Sequence, residues 1–131
     1  MIVVDTNVLA YLLLPGKFTE SAEELLSADP EWAAPVLWRS GLRSVLATHV
    51  RAGKLELADA LAMYSRASAI LGPDQYDVDT LEVLRLLSES GCSAYDCEYV
   101  ALAWFLDVAL VTADAKLLTA FRGRARALSD T

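Results

Sequence analysis

Cysteine and histidine are scarce in this chain: two cysteines, Cys92 and Cys97, and one histidine, His49. Two cysteines are too few for a metal-binding quartet or a dense disulfide framework. They are expected to be reduced thiols of a cytosolic protein. His49 falls on an apolar helical stripe, which reads as packing rather than catalysis, and no serine, cysteine or histidine constellation emerges for nucleophilic chemistry. Basic residues are in the minority as well, with 11 Lys and Arg against 18 Asp and Glu and a net charge of −7. A general nucleic-acid coat protein would be basic, so the charge argues against that class. It does not argue against a nuclease, which can gather acids around a cation and still meet phosphates with a few local arginines. Long apolar runs are missing too. The longest, residues 99–106, is far too short to span a bilayer. The opening MIVVDTNVLAYLLLPG carries no basic residue before its apolar run, and Asp5 interrupts that run, unlike a secretory signal. The expectation is a soluble cytoplasmic protein with no membrane role.

What is present is the composition of a folded domain. The chain of 131 residues is 55% hydrophobic and 22% charged, which disfavours disorder. A chain of this length buries roughly two-thirds of its unfolded surface without a disulfide or a structural metal. A single domain over residues 1–131 is expected, with no internal repeat and no low-complexity linker.

Ile2, Val3 and Val4 form a short continuous apolar run, the mark of a strand buried on both faces of a parallel sheet. Residues 6–14 read as a helix stopped by Pro15 and Gly16. The segment FTESAEELLSA reads as a second helix with Thr19 as its N-cap. Residues 32–35 are a short strand candidate. Residues 36–52 put Trp38, Leu42, Val45, Leu46 and His49 on one helical stripe, ended by Gly53. Residues 55–71 put Leu57, Leu61, Tyr64 and Leu71 on another. A brief strand or loop at 74–77 precedes a helix over 78–90, apolar at 78, 81, 84, 86 and 87 and ended by Gly91. A strongly apolar helix follows over 95–106, then a buried strand over 108–112 and a short helix over 115–121. The tail RGRARALSD is basic and offers a last strand. Strands alternating with helices predict an α/β fold with a parallel sheet and right-handed crossovers. Such sheets bind ligands at the carboxyl ends of their strands.

Three aspartates fall at those ends. Asp5 directly follows the first strand, and Asp114 follows VTA at the end of a later one. Asp96 lies three residues after Ser93, in a near capping box. Each alone reads equally as a helix N-cap or turn residue. Jointly they lie at helix starts along one sheet edge. Three carboxylates brought together repel one another and raise each other's pKa. A hard divalent cation, Mg2+ or Mn2+ rather than zinc, relieves that repulsion. It can also activate water and stabilise charge developing on a phosphate. Phosphodiester hydrolysis is the reaction class these residues point to.

The stretches IVVDTNVLAYLL, APVLWRSGLRSVLA, SAYDCEYVALA and LVTADAKLL resemble, in order and spacing, the PIN-domain family and within it the VapC-like toxins of bacterial toxin–antitoxin pairs. The resemblance implies a three-layer α/β/α fold around a parallel sheet of about five strands. It also implies a Mg2+- or Mn2+-dependent endoribonuclease, a homodimer, and a cognate antitoxin bound across the active face. By the same resemblance Asp5, Asp96 and Asp114 would take the catalytic and metal-binding positions, with Asn7 and Thr112 as supporting polar residues. The sequence departs from the pattern at Gly41, where the family usually carries a glutamate that completes an acidic quartet. Glycine there also weakens a predicted helix by about 1 kcal/mol relative to alanine. Gly41 thus implies an inactivating substitution, a site working with three acids, or compensation by Glu98. Residues two apart on a helix point in different directions, so Glu98 is poorly placed beside Asp96. The alternative function is a catalytically impaired PIN domain that binds antitoxin or RNA. Arg39 and Arg43, two residues either side of Gly41, are candidates for contacts to RNA phosphates or an antitoxin acid. Arg122, Arg124 and Arg126 are candidates for steering RNA toward the site edge. Trp32, Trp38 and Trp104 read as core or dimer surface.

Overall fold

The computed structural model describes residues 1–128. Among these, five strands form one all-parallel sheet in the order β3-β2-β1-β4-β5. The strands are β1 Ile2–Val4, β2 Trp32–Pro35, β3 Gln75–Tyr76, β4 Leu110–Thr112 and β5 Ala125–Ala127. The helices are α1 Thr6–Leu13, α2 Thr19–Ala28, α3 Trp38–Arg51, α4 Leu57–Leu71, α5 Thr80–Ser90, α6 Ala94–Leu106 and α7 Ala115–Ala120. The strand order runs outward from β1 through β2 to β3, then returns across the sheet to β4 and β5. With right-handed crossovers, α1–α4 cover one face and α5–α7 the other. This is the three-layer α/β/α arrangement expected from the sequence. No described helix is long and apolar enough to cross a membrane.

The central strands are covered on both faces and are almost wholly apolar, with Thr112 at the end of β4 the polar exception. Val3, Val4, Ala33, Ala34, Leu110 and Val111 are all buried. Trp32 and Trp38 are wholly enclosed, whereas Trp104 stays half exposed. The Trp104 ring instead carries the Arg124 guanidinium, whose central carbon lies 4.0 Å from the ring centroid. The helix stripes are only partly as expected. On α4 the buried residues are Ala60, Ala67 and Leu71, while Leu57 and Leu61 face outward. On α5 Val83 and Leu86 are buried, while Leu81 and Leu84 are exposed. Small alanines let α4 approach its neighbours closely, which leaves the larger leucines of the same helix on the outside.

Thr19 does not cap α2. The N-cap is Phe18, which makes no side-chain cap bond. The Thr19 hydroxyl instead accepts from the Gly16 N–H at 3.0 Å and donates toward the Tyr11 and Leu14 carbonyls at 2.8 and 3.0 Å. It closes the carboxyl end of α1, whose last carbonyls have no helical partners. Thr19→Val keeps the shape and deletes these bonds. A loss of about 1–2 kcal/mol in urea unfolding is expected.

Candidate functional site

The strand order reverses between β1 and β4, the place where an open parallel sheet leaves a crevice at its carboxyl edge. Asp5 leaves β1 there, and Asp114 leaves β4 two residues after Thr112. Helix α6 begins at the same edge and carries Asp96 in its first turn. The three aspartates line one cavity of about 450 Å³ together with Thr6, Asn7, Leu37, Ser40, Gly41, Ser44, Tyr95 and Tyr99. No lysine or arginine is among these lining residues, so the cavity is negative. The amino ends of four helices, α1, α3, α6 and α7, border it, and their partial positive charge is the counterweight the fold supplies.

The capping reading of the aspartates also holds. One Asp5 oxygen accepts from the Val8 N–H at 3.0 Å, and the other accepts from the Thr112 hydroxyl at 2.5 Å. The same Thr112 oxygen accepts from the Asp114 N–H at 3.0 Å. Thr112 therefore couples the two strand ends through one hydroxyl. Asp114 caps α7 through the Lys116 N–H at 2.8 Å, and Ser93 caps α6 through the Asp96 N–H at 3.1 Å. Capping and ligation are not exclusive, since a carboxylate has about four lone-pair sites.

Asp5 is buried, and its pKa is pushed up from 3.8 to about 6. Desolvation is the largest cause. The bonds from Thr112 and Val8 oppose it, and the charges of Asp96 and Asp114 add to it. The Tyr99 phenol is pushed up to about 12, again chiefly by burial. A buried carboxyl with two acidic neighbours and no basic one is the donor set a hard cation satisfies, all oxygen and all negative. The set is not drawn closed, however. Among the described residues no three Asp, Glu, His or Cys side chains stand close enough to hold an ion as they are. Asp5 and Asp114 each accept from a backbone N–H and still line the cavity.

The other candidates separate clearly. Asn7 lies on the cavity wall, and Thr112 lies behind Asp5. Glu98 is not among the lining residues; burial alone raises its pKa. Arg39 turns away to Gln75, donating from Nε and an Nη at 3.1 and 2.8 Å. Arg43 lies over the Tyr64 ring at 5.3 Å, beside a different, apolar groove. The basic tail does not gather at the site edge. Arg124 precedes β5 at the opposite end of the sheet and is tied to Asp107 at 3.2 Å, while Arg126 borders a separate cleft near Asp29. His49 bonds the Val45 carbonyl within its own helix at 3.0 Å. Sequence reasoning missed Thr6, Ser40, Ser44, Tyr95 and Tyr99. Helical spacing could have found Tyr99, three residues after Asp96, and Ser44, three after Gly41.

The PIN domain family model matches residues 2–121. Among solved structures, the chain is similar to FitAcB from Neisseria gonorrhoeae, with a TM-score of 0.78 and 16% identity over all of both chains. It is similar to PAE2754 from Pyrobaculum aerophilum, with a TM-score of 0.76 and 23% identity over 97% of this chain and 83% of that one. A toxin-antitoxin complex from Klebsiella pneumoniae aligns over the whole of both chains, with a TM-score of 0.67 and 17% identity. No curated protein matches.

Proposed function

This chain belongs to the PIN domain family, and from that premise we propose that it is a divalent-cation-dependent endoribonuclease, the toxin of a toxin–antitoxin pair acting in the cytoplasm. The observation that carries the reading is the meeting of Asp5, Asp96 and Asp114 in one acidic cavity at the β1/β4 reversal. When bound, Mg2+ or Mn2+ supplies Lewis-acid stabilisation of a phosphate and lowers the pKa of a water. Asp5, Asp96 and Asp114 would hold it. Thr112 keeps one Asp5 oxygen oriented through its hydroxyl and fixes the Asp114 backbone with the same atom. Asn7, exposed on the wall, is the polar group available to a substrate phosphate or ribose.

The antitoxin reading draws on the fold likeness to a toxin-antitoxin complex. An apolar groove between α3 and α4, with Leu46, Val50, Leu57 and Leu61 along it and Arg43 and Arg51 at its sides, suits an amphipathic helix. A homodimer would use other apolar surface, of which Phe105 and Leu81 are the most exposed parts. A second reading has support of its own. Gly41, on the cavity wall, offers no carboxylate, which favours a PIN domain that binds antitoxin or RNA without cutting.

Cleavage of RNA, DNA and small phosphate esters with Mg2+ or Mn2+, each with and without EDTA, separates these readings. Cation-dependent cutting of RNA alone is expected. Calorimetry showing no cation binding near millimolar concentration removes the nuclease reading. Cation binding without cleavage of RNA selects the second.

A further inference from the structure

The cavity wall where α1 meets α3 holds an unusually close contact. A Cβ placed on Gly41 would stand 2.5 Å from the Thr6 Oγ1, 3.0 Å from its Cγ2 and 3.2 Å from its Cβ. Thr6 in turn shares a 2.6 Å hydrogen bond with the Tyr99 hydroxyl, and Tyr99 is buried. Turning Thr6 does not free the space without cost. Its two heavy substituents always fill two of the three staggered positions about χ1. A rotation that clears the 2.5 Å position therefore still leaves a heavy atom at the 3.0 Å position and the Cβ at 3.2 Å, and it breaks the bond to Tyr99.

We propose that Thr6 and Gly41 are a matched pair, in which Thr6 takes the volume of a side chain at position 41 and is locked there by Tyr99 as a positioning bridge between α1 and α6. Thr6 follows Asp5 directly, and Tyr99 lies one helical turn after Asp96 on the same side of α6. The hydroxyl bridge thus ties together the two backbone segments that carry Asp5 and Asp96. Gly41 is what lets α3 lie against that bridge. The site is built on three carboxylates, and a longer side chain at position 41 would have to part α1 from α3 before reaching the cavity. This deepens the proposed cation site and rests on it only for the affinity readout below.

The steric pairing is tested without any cation, by thermal unfolding in EDTA. In an ordinary helix interior, Gly→Ala stabilises. Gly41→Ala is expected instead to lower Tm by several degrees, or to prevent folding. The same change made on Thr6→Ala, which removes Oγ1 and Cγ2, is expected to be neutral or to raise Tm. If Gly41→Ala raises Tm with Thr6 present, the pairing is overturned, whatever the cation results. Calorimetry with Mn2+ then reads the positioning. Gly41→Glu alone is expected to leave affinity unchanged or weaker, whereas Thr6→Ala with Gly41→Glu gains at least several-fold over Thr6→Ala. A gain from Gly41→Glu alone overturns the proposal. If no variant binds Mn2+, the cation reading fails, while the Tm comparison still decides the pairing.

Discussion

Asp5→Asn is expected to abolish cation-dependent RNA cleavage and, in the same protein, to raise the stability of the cation-free fold at pH 8. The loss of cleavage follows from removing the most enclosed carboxylate of the cavity. On the proposed reading several kcal/mol of transition-state stabilisation would depend on the cation, so a fall of about 10³-fold or more is expected. The gain in stability follows from the raised pKa of Asp5, from 3.8 to about 6. Between those values the folded chain keeps a proton that the unfolded chain has released. This contribution to stability is therefore fully present below about pH 3.8 and is lost as pH rises through 6. By pH 8 the ionised, desolvated carboxylate costs on the order of 3 kcal/mol. Asparagine carries no charge and keeps one of the two acceptor contacts, so part of that cost is recovered, about 1–2 kcal/mol after one hydrogen bond is lost. Urea unfolding in EDTA from pH 4 to 8 gives the comparison. The parent should lose stability across that window and the variant should not. Mn2+ should then raise the parent's Tm at pH 8 and leave the variant's unmoved. A parent whose stability is flat with pH would show that Asp5 is already ionised without cost, and the electrostatic account of the cavity would fail.

The parts of this molecule that were legible in the sequence are those where local pattern and global fold agree. Ile2 to Val4 and the strand before Asp114 could be read because a strand covered on both faces is almost continuously apolar, with Thr112 the one polar residue at the end of the second. Asp5 and Asp114 could be read because a polar residue ending such a strand must sit at the sheet's carboxyl edge. Gly91 could be read as a stop because its φ of 70° is one that side chains resist. What stayed hidden needs knowledge of distant partners. Thr6 and Tyr99 are 93 residues apart in the chain, and nothing local in either announces the other. Arg39 looked free to meet a phosphate until Gln75, on a strand folded beside it, supplied an acceptor. Leu57, Leu61, Leu81 and Leu84 looked like core because apolarity marks a face without saying which face the small residues will bury. The bridge by which Thr112 joins Asp5 to Asp114 was likewise visible only as a nearby polar residue.

That bridge makes Thr112→Val the second large expectation, and it separates positioning from mere packing. The hydroxyl is fully buried and makes two bonds at once, one to a carboxylate and one from a backbone N–H. Valine fills the same space and deletes both. A hydrogen bond to a charged group contributes about 1.5–3 kcal/mol, and the Asp114 N–H is left without its partner. A loss of about 2–4 kcal/mol above pH 6 is expected on these grounds. The pH dependence carries the sharper test. Thr112 is the largest of the influences that hold the Asp5 pKa down against burial. Without it, Asp5 must ionise at higher pH still, and the energetic difference between parent and variant must shrink as pH falls and the carboxyl becomes protonated. Cation affinity should follow the same course, with its half-point moved to higher pH in the variant. Thr112→Ser, which keeps the hydroxyl and drops a methyl, should restore the half-point even where it costs some stability through packing. If valine and serine weaken the fold equally and neither moves the half-point, Thr112 only fills space, and the coupling of the two strand ends through its oxygen has no bearing on the site.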